Sequence, residues 1–342
     1  MTLRCWPPER ATFEAAARHW VAGGLVGMPT ETVYGLAADA DNPTAVARIF
    51  AAKGRPSDHP LIVHIPAPEA PGEAAWQALV GRYAHSVPPF AWALMQAFWP
   101  GPLTLILPRR DGVATAAAGG HASVGLRCPE HPTAQALLLA AQRWGVWGVA
   151  APSANRFGRV SPTTAAHVAS EFETLSDAEL LIVDGGPCSV GIESTIVDAT
   201  RGEPFVLRPG MITAEQIAQA CGQAVHAADA QAPKVSGSLA SHYAPQARVV
   251  LGDTPQLMAA FEALSPDDRV SGRFAVYARA EVAVPEGLLV ERMPAEAAAC
   301  AHEVFAVLRR LDTPGRETIW VHTPPPELVW DGVRDRLQRA AA

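Results

Sequence analysis

The chain has 342 residues, of which 49% are hydrophobic and 18% charged, so it is not intrinsically disordered and can bury two domain cores. Its net charge of -7 and its pI of about 5.9 argue against a protein that binds nucleic acid mainly through charge. No apolar run reaches the roughly 18 residues of a membrane span, and the first residues lack a signal-peptide pattern. We therefore expect a cytoplasmic protein without a membrane segment.

The residue types that commonly bind metals or form disulfides follow no recognised spacing in this chain. The cysteines are odd in number and scattered, without the pairs of a zinc or redox motif: Cys5, Cys128, Cys188, Cys221 and Cys300. We expect them to be reduced, mostly buried packing residues, and we expect no metal site and no tightly bound cofactor. The basic residues are also unusual, because only Lys53 and Lys234 of the 27 are lysine.

Hydrophobic periodicity predicts alternating helices and strands in the first part of the chain. Helices are predicted at residues 9–21, 43–52, twice between 74 and 98, and at 213–220. Strands are predicted at residues 25–28, 61–65, 103–107, 123–127, 149–151, 180–183, 194–198 and 205–207. This alternation is typical of an α/β fold.

Residues 222–246 lose this periodicity and are rich in alanine, glycine, serine and proline, which indicates a linker that is long for a simple tether. Strands at 248–251, 274–277, 288–290 and 318–322 then alternate with helices at 255–264, 294–311 and 326–340. We predict a first domain at residues 1–212, a helix and linker at 213–246, and a smaller α/β domain at 247–342.

Two segments near the N-terminus place polar groups where a ligand can reach them. Residues 29–36 follow a predicted strand and include Thr32, although a solvated loop with local hydrogen bonds is an equal alternative. Lys53 and Arg55 lie on a turn in which Gly54 caps a helix and Pro56 prevents its continuation. Cations at a helix C-terminus are common, but a lysine in a chain that otherwise uses arginine indicates a compact charge for binding an anion.

Further candidate residues lie at or near predicted strand ends. His64 lies in an apolar strand, where a hydrogen-bonded core histidine is the more common role, and the same caution holds for His59. Arg127 ends a strand, and strand ends of open α/β sheets are where ligands bind. Residues 151–155 and Ser161 supply hydroxyl and amide groups that suit phosphate, although Ser161 is also a plausible helix cap.

Several catalytic patterns are missing from the sequence. The chain contains no Gly-x-x-x-x-Gly-Lys-Ser/Thr loop and no Gly-x-Gly-x-x-Gly fingerprint. It also has no Gly-x-Ser-x-Gly elbow and no His-Glu-x-x-His helix. The sequence therefore offers cations and hydroxyls rather than an activated nucleophile or a metal cage.

Six motifs, taken in order, resemble those of the YrdC-type threonylcarbamoyl-AMP synthases. They are Pro-Thr-Glu-Thr-Val-Tyr-Gly-Leu from residue 29, Lys-Gly-Arg-Pro from 53, Gly-Leu-Arg from 125, Ala-Pro-Ser-Ala-Asn from 151, Glu-Ser-Thr-Ile-Val-Asp from 193 and Leu-Arg-Pro-Gly from 207. The shared order is far more specific than any single motif. The resemblance implies a twisted, open mixed sheet with helices around a large cavity, followed by the smaller Rossmann-like α/β domain of the long family form.

The resemblance also implies a nucleotidyltransferase reaction. L-threonine, bicarbonate and ATP with Mg²⁺ would give L-threonylcarbamoyladenylate and pyrophosphate, and tRNA threonylcarbamoyl-transfer machinery would use the adenylate to modify a tRNA adenosine. A carbamate oxygen formed from threonine and bicarbonate would attack the α-phosphate. Such chemistry depends on positioning and charge neutralisation rather than on a covalent enzyme intermediate.

The family's functional residues map onto this sequence position by position. Lys53 and Arg55 would be catalytic, and the L-threonine site would comprise Thr32, His64, Arg127, Ala151 and Ser194. The ATP site would comprise Arg55, His59, Ser123, Ser153, Asn155, Ser161, Arg208 and Tyr243. Tyr243 lies in a linker segment similar to the family's His-Tyr-Ala-Pro, which implies that the linker folds back over the site as a lid.

Two departures and two alternatives accompany this prediction. His59 stands where the family has asparagine, and residues 235–239 replace a Pro-Gly-Met-containing stretch, so this chain departs from the family at one ATP contact and in part of the lid. A double-stranded RNA-binding or ribosome-maturation module is one alternative, which the acidic charge disfavours while allowing weak RNA binding. The other is a carbamoyl-transfer enzyme of hydrogenase maturation, whose acylphosphatase and zinc-finger modules are not visible in this sequence.

Overall fold

The structure is a computed structural model that describes residues 3–70, 72–237 and 239–342. The helices in these residues are α1 (Arg10–Val21), α2 (Pro43–Lys53), α3 (Glu73–Tyr83), α4 (Pro89–Phe98), α5 (Pro132–Arg143), α6 (Ala165–Glu171), α7 (Ala214–Cys221), α8 (Thr254–Glu262), α9 (Pro266–Val270), α10 (Ala297–Leu311) and α11 (Asp331–Ala340). A 3-10 turn at Leu328–Trp330 precedes α11. None of the helices in the described ranges combines the length and apolar character needed to cross a bilayer.

The strands of the first sheet are β1 (Cys5–Trp6), β2 (Leu25–Met28), β3 (Gly35–Asp39), β4 (Ile62–His64), β5 (Leu103–Pro108), β6 (Ser123–Arg127), β7 (Val149–Ala150), β8 (Leu180–Val183), β9 (Thr195–Asp198), β10 (Phe205–Arg208) and β11 (His226–Ala227). Their order is β1-β8-β2-β3-β7-β4-β6-β5-β9-β10-β11, with both parallel and antiparallel pairs. The predicted mixed sheet is therefore confirmed. Strands β2, β4 and β8 are buried along their whole length.

The second sheet contains β12 (Arg248–Gly252), β13 (Phe274–Ala278), β14 (Leu289–Arg292) and β15 (Thr318–His322). Its order is β12-β15-β13-β14 and all of its pairs are parallel, as expected for a small Rossmann-like unit. The two sheets share packing, because one hydrophobic cluster joins Val33, Val160 and Ile192 to Phe305 and Val333. The second unit therefore packs directly against the first.

The sequence specifies the ends of helix α2 through local chemistry. The Asn42 side chain accepts hydrogen bonds from the first backbone amides, and Pro43 occupies the first turn, where no partner for its nitrogen is needed. Gly54 ends the helix in the left-handed conformation at φ 63°, as predicted. Because the helix ends there, Lys53 and Arg55 lie on a turn of defined geometry.

Several sequence predictions need correction. No helix starts at Ser161, because α6 begins only at Ala165 and the side chain of Thr164 is its N-cap. The segment predicted as a loop at residues 29–36 runs into strand β3, which pairs with β2 and β7. Residues predicted as linker include strand β11, which lies at the edge of the first sheet and pairs with β10. Ser238, in the linker stretch 235–239 that departs from the family pattern, lies outside the described residues.

Candidate active site

The candidate site is an enclosed cavity against the middle of the first sheet. Its volume is about 30 Å³, roughly the space of one water molecule, and linker residues form part of its wall. It is lined by Thr30, Val33, Gly35, Ile62, His64, Arg127, Ala151, Pro152, Ser153, Glu193, Ser194, Arg208, Ser236, His242 and Tyr243. Seven residues predicted from the sequence are in this lining: His64, Arg127, Ala151, Ser153, Ser194, Arg208 and Tyr243.

One side of the cavity, which we call the Arg127 side, comprises Glu31, Thr32, His64 and Arg127. The Arg127 guanidinium donates to Glu31 Oε1 at 2.5 Å and to Thr32 Oγ1 at 2.8 Å, and both members of the ion pair are almost fully buried. The other Glu31 oxygen accepts from the backbone amide of Glu130 at 3.1 Å. This charged group is thus neutralised and held in place by the protein itself.

His64 lies beside Arg127, because β4 and β6 are parallel and the two residues are register partners. One ring nitrogen, Nδ1, lies 3.2 Å from the carbonyl of Ile62. Burial, together with the nearby Arg127 charge, lowers the pKa of His64 to about 3. The imidazole is therefore neutral at physiological pH and can exchange hydrogen bonds without adding positive charge.

A second group, which we call the Lys53 side, comprises Lys53, Arg55, Asn155, His242 and Tyr243, of which only His242 and Tyr243 line the cavity itself. The Lys53 ammonium is buried and donates to the backbone carbonyls of Ser153 at 2.6 Å and Asn155 at 2.5 Å. Within the described ranges no carboxylate forms an ion pair with it. Burial, followed by the neighbouring Arg55 charge, lowers the pKa of Lys53 well below its ordinary value.

Arg55 is also buried without a carboxylate partner among the described residues. It donates to the carbonyl of Pro60 at 3.0 Å and reaches Ser236 Oγ of the linker at 3.4 Å, and its Nε has no partner. Its guanidinium carbon lies 5.8 Å from the centre of the Phe157 ring. Burial lowers the pKa of Arg55 to about 10. Two adjacent buried cations therefore lack a carboxylate partner within the part of the chain that the structure describes.

Unpartnered polar atoms concentrate on the Lys53 side. Among the described residues, buried side-chain atoms without a hydrogen-bond partner include Arg55 Nε, Asn155 Oδ1, His242 Nδ1 and the Tyr243 hydroxyl. Tyr243 is also held at φ 63°, a conformation that is strained for a bulky residue. Its ring contacts that of His242, with centroids 4.2 Å apart. Buried groups of this kind cost free energy unless a ligand satisfies them.

Arg208 connects the cavity wall to the linker. Its guanidinium donates to the carbonyl of Ser194 at 2.9 Å and to the carbonyl of Ser236 at 2.9 Å. The Ser194 hydroxyl is 2.8 Å from that of Thr104 on the neighbouring strand. The linker therefore closes the cavity through direct hydrogen bonds to its wall.

The remaining predicted residues lie around this centre. Ser161 donates to Glu193 Oε1 at 2.5 Å, and Ser153 and Asn155 hold Lys53 through their carbonyls. Ser123 opens into a separate small space under the linker, and His59 packs against Phe157 with ring centroids 5.6 Å apart. The structure thus places Ser123 and His59 away from the main cavity.

Sequence reasoning did not select four residues that the geometry brings to the site: Glu31, Phe157, Glu193 and His242. Glu31 and Glu193 lie inside recognised motifs, but a carboxylate is an unexpected choice in a site for anions. The requirement that a buried arginine has an anionic partner could have indicated them. Phe157 had no such signal, whereas His242 is adjacent to the selected Tyr243.

The chemistry of these groups defines a class of protein. A mixed α/β sheet presents buried cations, hydroxyls and backbone carbonyls to the cavity and its surroundings. Among the described residues, no three histidine, cysteine, aspartate or glutamate side chains are grouped as a metal site. This is a two-domain α/β protein with buried cations at its candidate site.

Comparison with known proteins gives the family. Residues 19–210 match the family profile of the Sua5, YciO and YrdC proteins, which is described as telomere recombination. Residues 212–342 match the profile described as the C-terminal domain of threonylcarbamoyl-AMP synthase. The chain therefore belongs to the Sua5, YciO and YrdC family.

Individual relatives agree with this assignment. Threonylcarbamoyl-AMP synthase of Pyrococcus abyssi is 41% identical over 239 residues, which are 68% of this chain and 66% of that protein. The enzyme of the same name from Bacillus subtilis is 42% identical over 233 residues, or 66% of this chain and 62% of that protein. The aligned stretches span less than two thirds of these relatives' own lengths.

Similarity of structure extends further along the chain. The structure of P. abyssi Sua5 in complex with L-threonine has a TM-score of 0.84 and 32% identity, covering 97% of this chain and 95% of that one. A doubly substituted form of the same protein covers 99% of this chain and 96% of that one, with a TM-score of 0.84 and 31% identity. The chain thus shares its mixed sheet and its smaller parallel sheet with P. abyssi Sua5.

Proposed function

We propose that the chain is a threonylcarbamoyl-AMP synthase, which converts L-threonine, bicarbonate and ATP into L-threonylcarbamoyladenylate and pyrophosphate. The observation that carries the proposal is the pair of buried cations, Lys53 and Arg55, without a carboxylate partner beside the preformed Arg127 side. Such cations favour a ligand that brings several negative charges, as a carbamate and a triphosphate do. The names of the relatives support the same activity.

The proposed chemistry requires charge neutralisation more than proton transfer. The threonine amine and bicarbonate combine with loss of water to give a carbamate. A carbamate oxygen then forms a bond to the α-phosphorus of ATP, while the bond to the β-phosphate oxygen breaks and pyrophosphate leaves. Lys53 and Arg55 would stabilise the charge that builds up on these oxygens, so they are proposed as the catalytic residues.

The two sides of the cavity suit the two substrates. We assign L-threonine to the Arg127 side with Thr32, His64, Ala151 and Ser194, because the family motifs map the threonine site onto these positions. P. abyssi Sua5 is described in complex with L-threonine, which supports threonine as a substrate. We assign ATP to the Lys53 side with Ser153, Asn155, Ser161, Arg208 and Tyr243, and we predict further contacts from His59 and Ser123. Mg²⁺ would enter bound to the phosphates of ATP, since the donors of this side are cations and hydroxyls that suit phosphate rather than a divalent metal.

The closed cavity implies that the linker must move during the reaction. A volume of about 30 Å³ is far too small for ATP, and the contacts that close it come from Ser236, His242 and Tyr243. We therefore propose that residues 213–246 act as a lid between the catalytic residues 1–212 and the second domain, residues 247–342. Opening this lid would break the Arg208 and Arg55 contacts to Ser236.

The product would serve the machinery that transfers threonylcarbamoyl groups to tRNA. Direct RNA binding by this chain is a separate and weaker prediction. Some of its exposed arginines are engaged in ion pairs, such as Arg273 with Glu317 and Arg310 with Glu291, and the net charge is -7. Phosphate contacts of an RNA would have to compete with these pairs.

The direct test supplies ATP, Mg²⁺, L-threonine and bicarbonate to the purified protein, and measures pyrophosphate and the adenylate by chromatography. We expect both products to appear only when L-threonine and bicarbonate are present together. D-threonine is the matched control, because it has the same groups in mirror-image arrangement. Pyrophosphate release that is indifferent to threonine would rule out the proposed function.

A further inference from the structure

The second domain meets the cavity wall through unusually close backbone contacts. Gly191 adopts φ 88°, and a Cβ atom at this position would lie 2.3 Å from the carbonyl oxygen of Ala301 in α10. A Cβ atom at Gly332 in α11 would lie 2.8 Å from the carbonyl oxygen of Gly210. Larger residues at either position would push the helices away. The segments that contain Glu193 and Arg208 are therefore braced by the second domain.

Arg336 of helix α11 is the charged residue at the centre of this contact, and its side chain is fully buried. Its Nε donates to Glu193 Oε2 at 2.7 Å, and a terminal nitrogen donates to the Glu193 carbonyl at 3.1 Å. Its other terminal nitrogen donates to the carbonyl of Pro209 at 2.9 Å and to Asp335 Oδ2 at 2.7 Å. Arg336 therefore holds two separate segments of the first domain at once.

Glu193 transmits this contact to the cavity. It lines the cavity, and its second carboxylate oxygen accepts the hydrogen bond from Ser161 at 2.5 Å. The Arg336 guanidinium also lies 5.3 Å from the ring centre of Tyr243. Through one side chain, the second domain thus contacts Tyr243 and the carboxylate that orients Ser161, two residues of the proposed ATP site.

A purely structural role does not explain why the pair faces the cavity. A buried carboxylate without its cation would expose a negative charge to the place where the triphosphate binds, and repulsion between these charges would weaken binding. Arg336 compensates that charge, and its fixed planar guanidinium orients one Glu193 carboxylate oxygen, the Glu193 carbonyl and the strand end at Pro209. Its contribution is therefore specific to the anion that occupies the Lys53 side.

We propose that Arg336 is a positioning residue for ATP, and that the second domain is through it a component of the nucleotide site. The inference rests on the proposed function, because that function assigns ATP to the Lys53 side. It predicts that losing Arg336 weakens ATP binding while L-threonine binding on the Arg127 side is preserved. A residue that only stabilises the fold would not separate the two substrates.

The experiment compares Arg336→Met with Arg334→Met, a substitution of the same kind in the same helix. Arg334 contacts Asp331, Pro325 and Glu327, all within the second domain, so it is the matched control. We expect Arg336→Met to raise the ATP Kd and KM by about tenfold or more, with the L-threonine KM changed less than about twofold. Arg334→Met should leave both unchanged. Equal ATP affinity in Arg336→Met and the wild type would overturn the inference.

Two further variants keep the test decisive if Arg336→Met folds poorly. Arg336→Lys retains the charge but not the planar set of donors, so we expect an intermediate loss of ATP affinity. In the double variant Glu193→Gln/Arg336→Met no carboxylate is left uncompensated, and we expect it to recover most of the lost ATP affinity. A double variant whose ATP affinity is no higher than that of Arg336→Met would refute the charge-compensation argument.

Direct titration of ATP separates this inference from the proposed function. Binding of ATP without threonine reports on Arg336, whereas threonine-dependent release of pyrophosphate reports on the reaction. A wild-type protein that binds ATP but makes no adenylate would contradict the proposed function and leave the Arg336 inference supported if the variants still differ in affinity. If the wild type made the adenylate and all variants bound ATP with the same affinity, the proposed function would be supported and the Arg336 inference would be refuted.

Discussion

The two sides of the cavity differ in how the protein treats a buried cation. On the Arg127 side the guanidinium has a carboxylate, a hydroxyl and a carbonyl as partners. On the Lys53 side two cations have only carbonyls and a distant serine, and several polar atoms have no partner. The first arrangement is complete without a ligand, while the second leaves a free-energy cost that an anionic ligand can remove. The cavity thus combines a preformed half with a half that the substrate completes.

The largest effect should come from the Lys53 side. We expect Lys53→Ala to lower kcat/KM by about 1,000-fold or more, because the charge that stabilises the leaving and attacking oxygens is lost. The Lys53→Ala variant should still fold, because no carboxylate loses its partner. Pyrophosphate release and thermal unfolding measure the two quantities, and Arg55→Ala should behave in the same way.

Lys234, the other lysine of the chain, provides the control for this prediction. It lies in an exposed ion pair with Asp58, where salt and solvent screen the interaction. Lys234→Ala should leave the unfolding midpoint unchanged within error. A near-normal rate in Lys53→Ala would mean that the catalytic assignment is wrong and that the two sides do not differ as described.

Removing the cation of the Arg127 side should chiefly affect stability. Arg127→Met leaves Glu31 as a buried carboxylate without its partner, so we expect a loss of about 3–5 kcal/mol in the free energy of unfolding. The double variant Glu31→Gln/Arg127→Met should regain part of that loss. Urea unfolding measures both, and an Arg127→Met protein as stable as the wild type would show that this side is not held by the ion pair.

A smaller effect is expected from the unpartnered hydroxyl of Tyr243. Tyr243→Phe should leave the ligand-free stability unchanged, because the hydroxyl has no partner to lose, and should weaken ATP binding by about tenfold. Tyr277→Phe in the second domain is the matched control, since its hydroxyl is bonded to Glu303 at 3.0 Å. That variant should lose about 1 kcal/mol of stability and retain its ATP affinity. If Tyr243→Phe kept its ATP affinity while Tyr277→Phe lost it, Tyr243 would not belong to the nucleotide site.

The smallest expected effect concerns pH and is common to both sides. Burial lowers the pKa of both His64 and His242 to about 3, below their ordinary value of 6.5. A histidine with a depressed pKa contributes stability that is complete above the unfolded-state value and is lost as the pH falls towards about 3. The free energy of unfolding should therefore decrease on acidification below pH 6.5.

Replacing either histidine by phenylalanine tests this pH dependence. Each variant lacks one group that takes up a proton on unfolding. Its free energy of unfolding should therefore fall less steeply as the pH decreases, with a slope smaller than that of the wild type by at most about 1.4 kcal/mol per pH unit. Urea unfolding at several pH values measures the slope. Slopes identical to the wild type in both variants would contradict the buried, neutral state of these rings.

Much of the secondary structure follows from local patterns. The predicted bounds of β2, β6, β8 and β15 coincide with those of the structure, because short apolar runs between turn residues specify both ends. Strand β3 was missed because its first two residues belong to a motif interpreted as a loop, and its strand conformation depends on pairing with β2 and β7. Two-residue strands such as β1 and β11 exist only through their partner strands and leave no periodic signal.

The candidate site was predictable as a set of residues but not as a set of contacts. Ordered motifs indicated Lys53, Arg55 and Arg127, and the structure shows which of these cations has an anionic partner. The interpretation of Ser161 as a helix cap was wrong, because its hydroxyl is directed to Glu193 and not to the start of a helix. A hydroxyl's partner depends on the three-dimensional environment, whereas its position in a motif depends only on the chain.

The sequence by itself determined the α/β class, the helix end that carries Lys53 and the order of motifs, since each depends on neighbouring residues. Only the tertiary structure decided that the linker closes the cavity and that Arg336 pairs with Glu193, 143 residues earlier in the chain. Contacts at such separation follow from how the two units pack, and no local spacing encodes them. Such long-range contacts matter most for buried charges, because in a low-dielectric interior the partner of each charge determines its free energy.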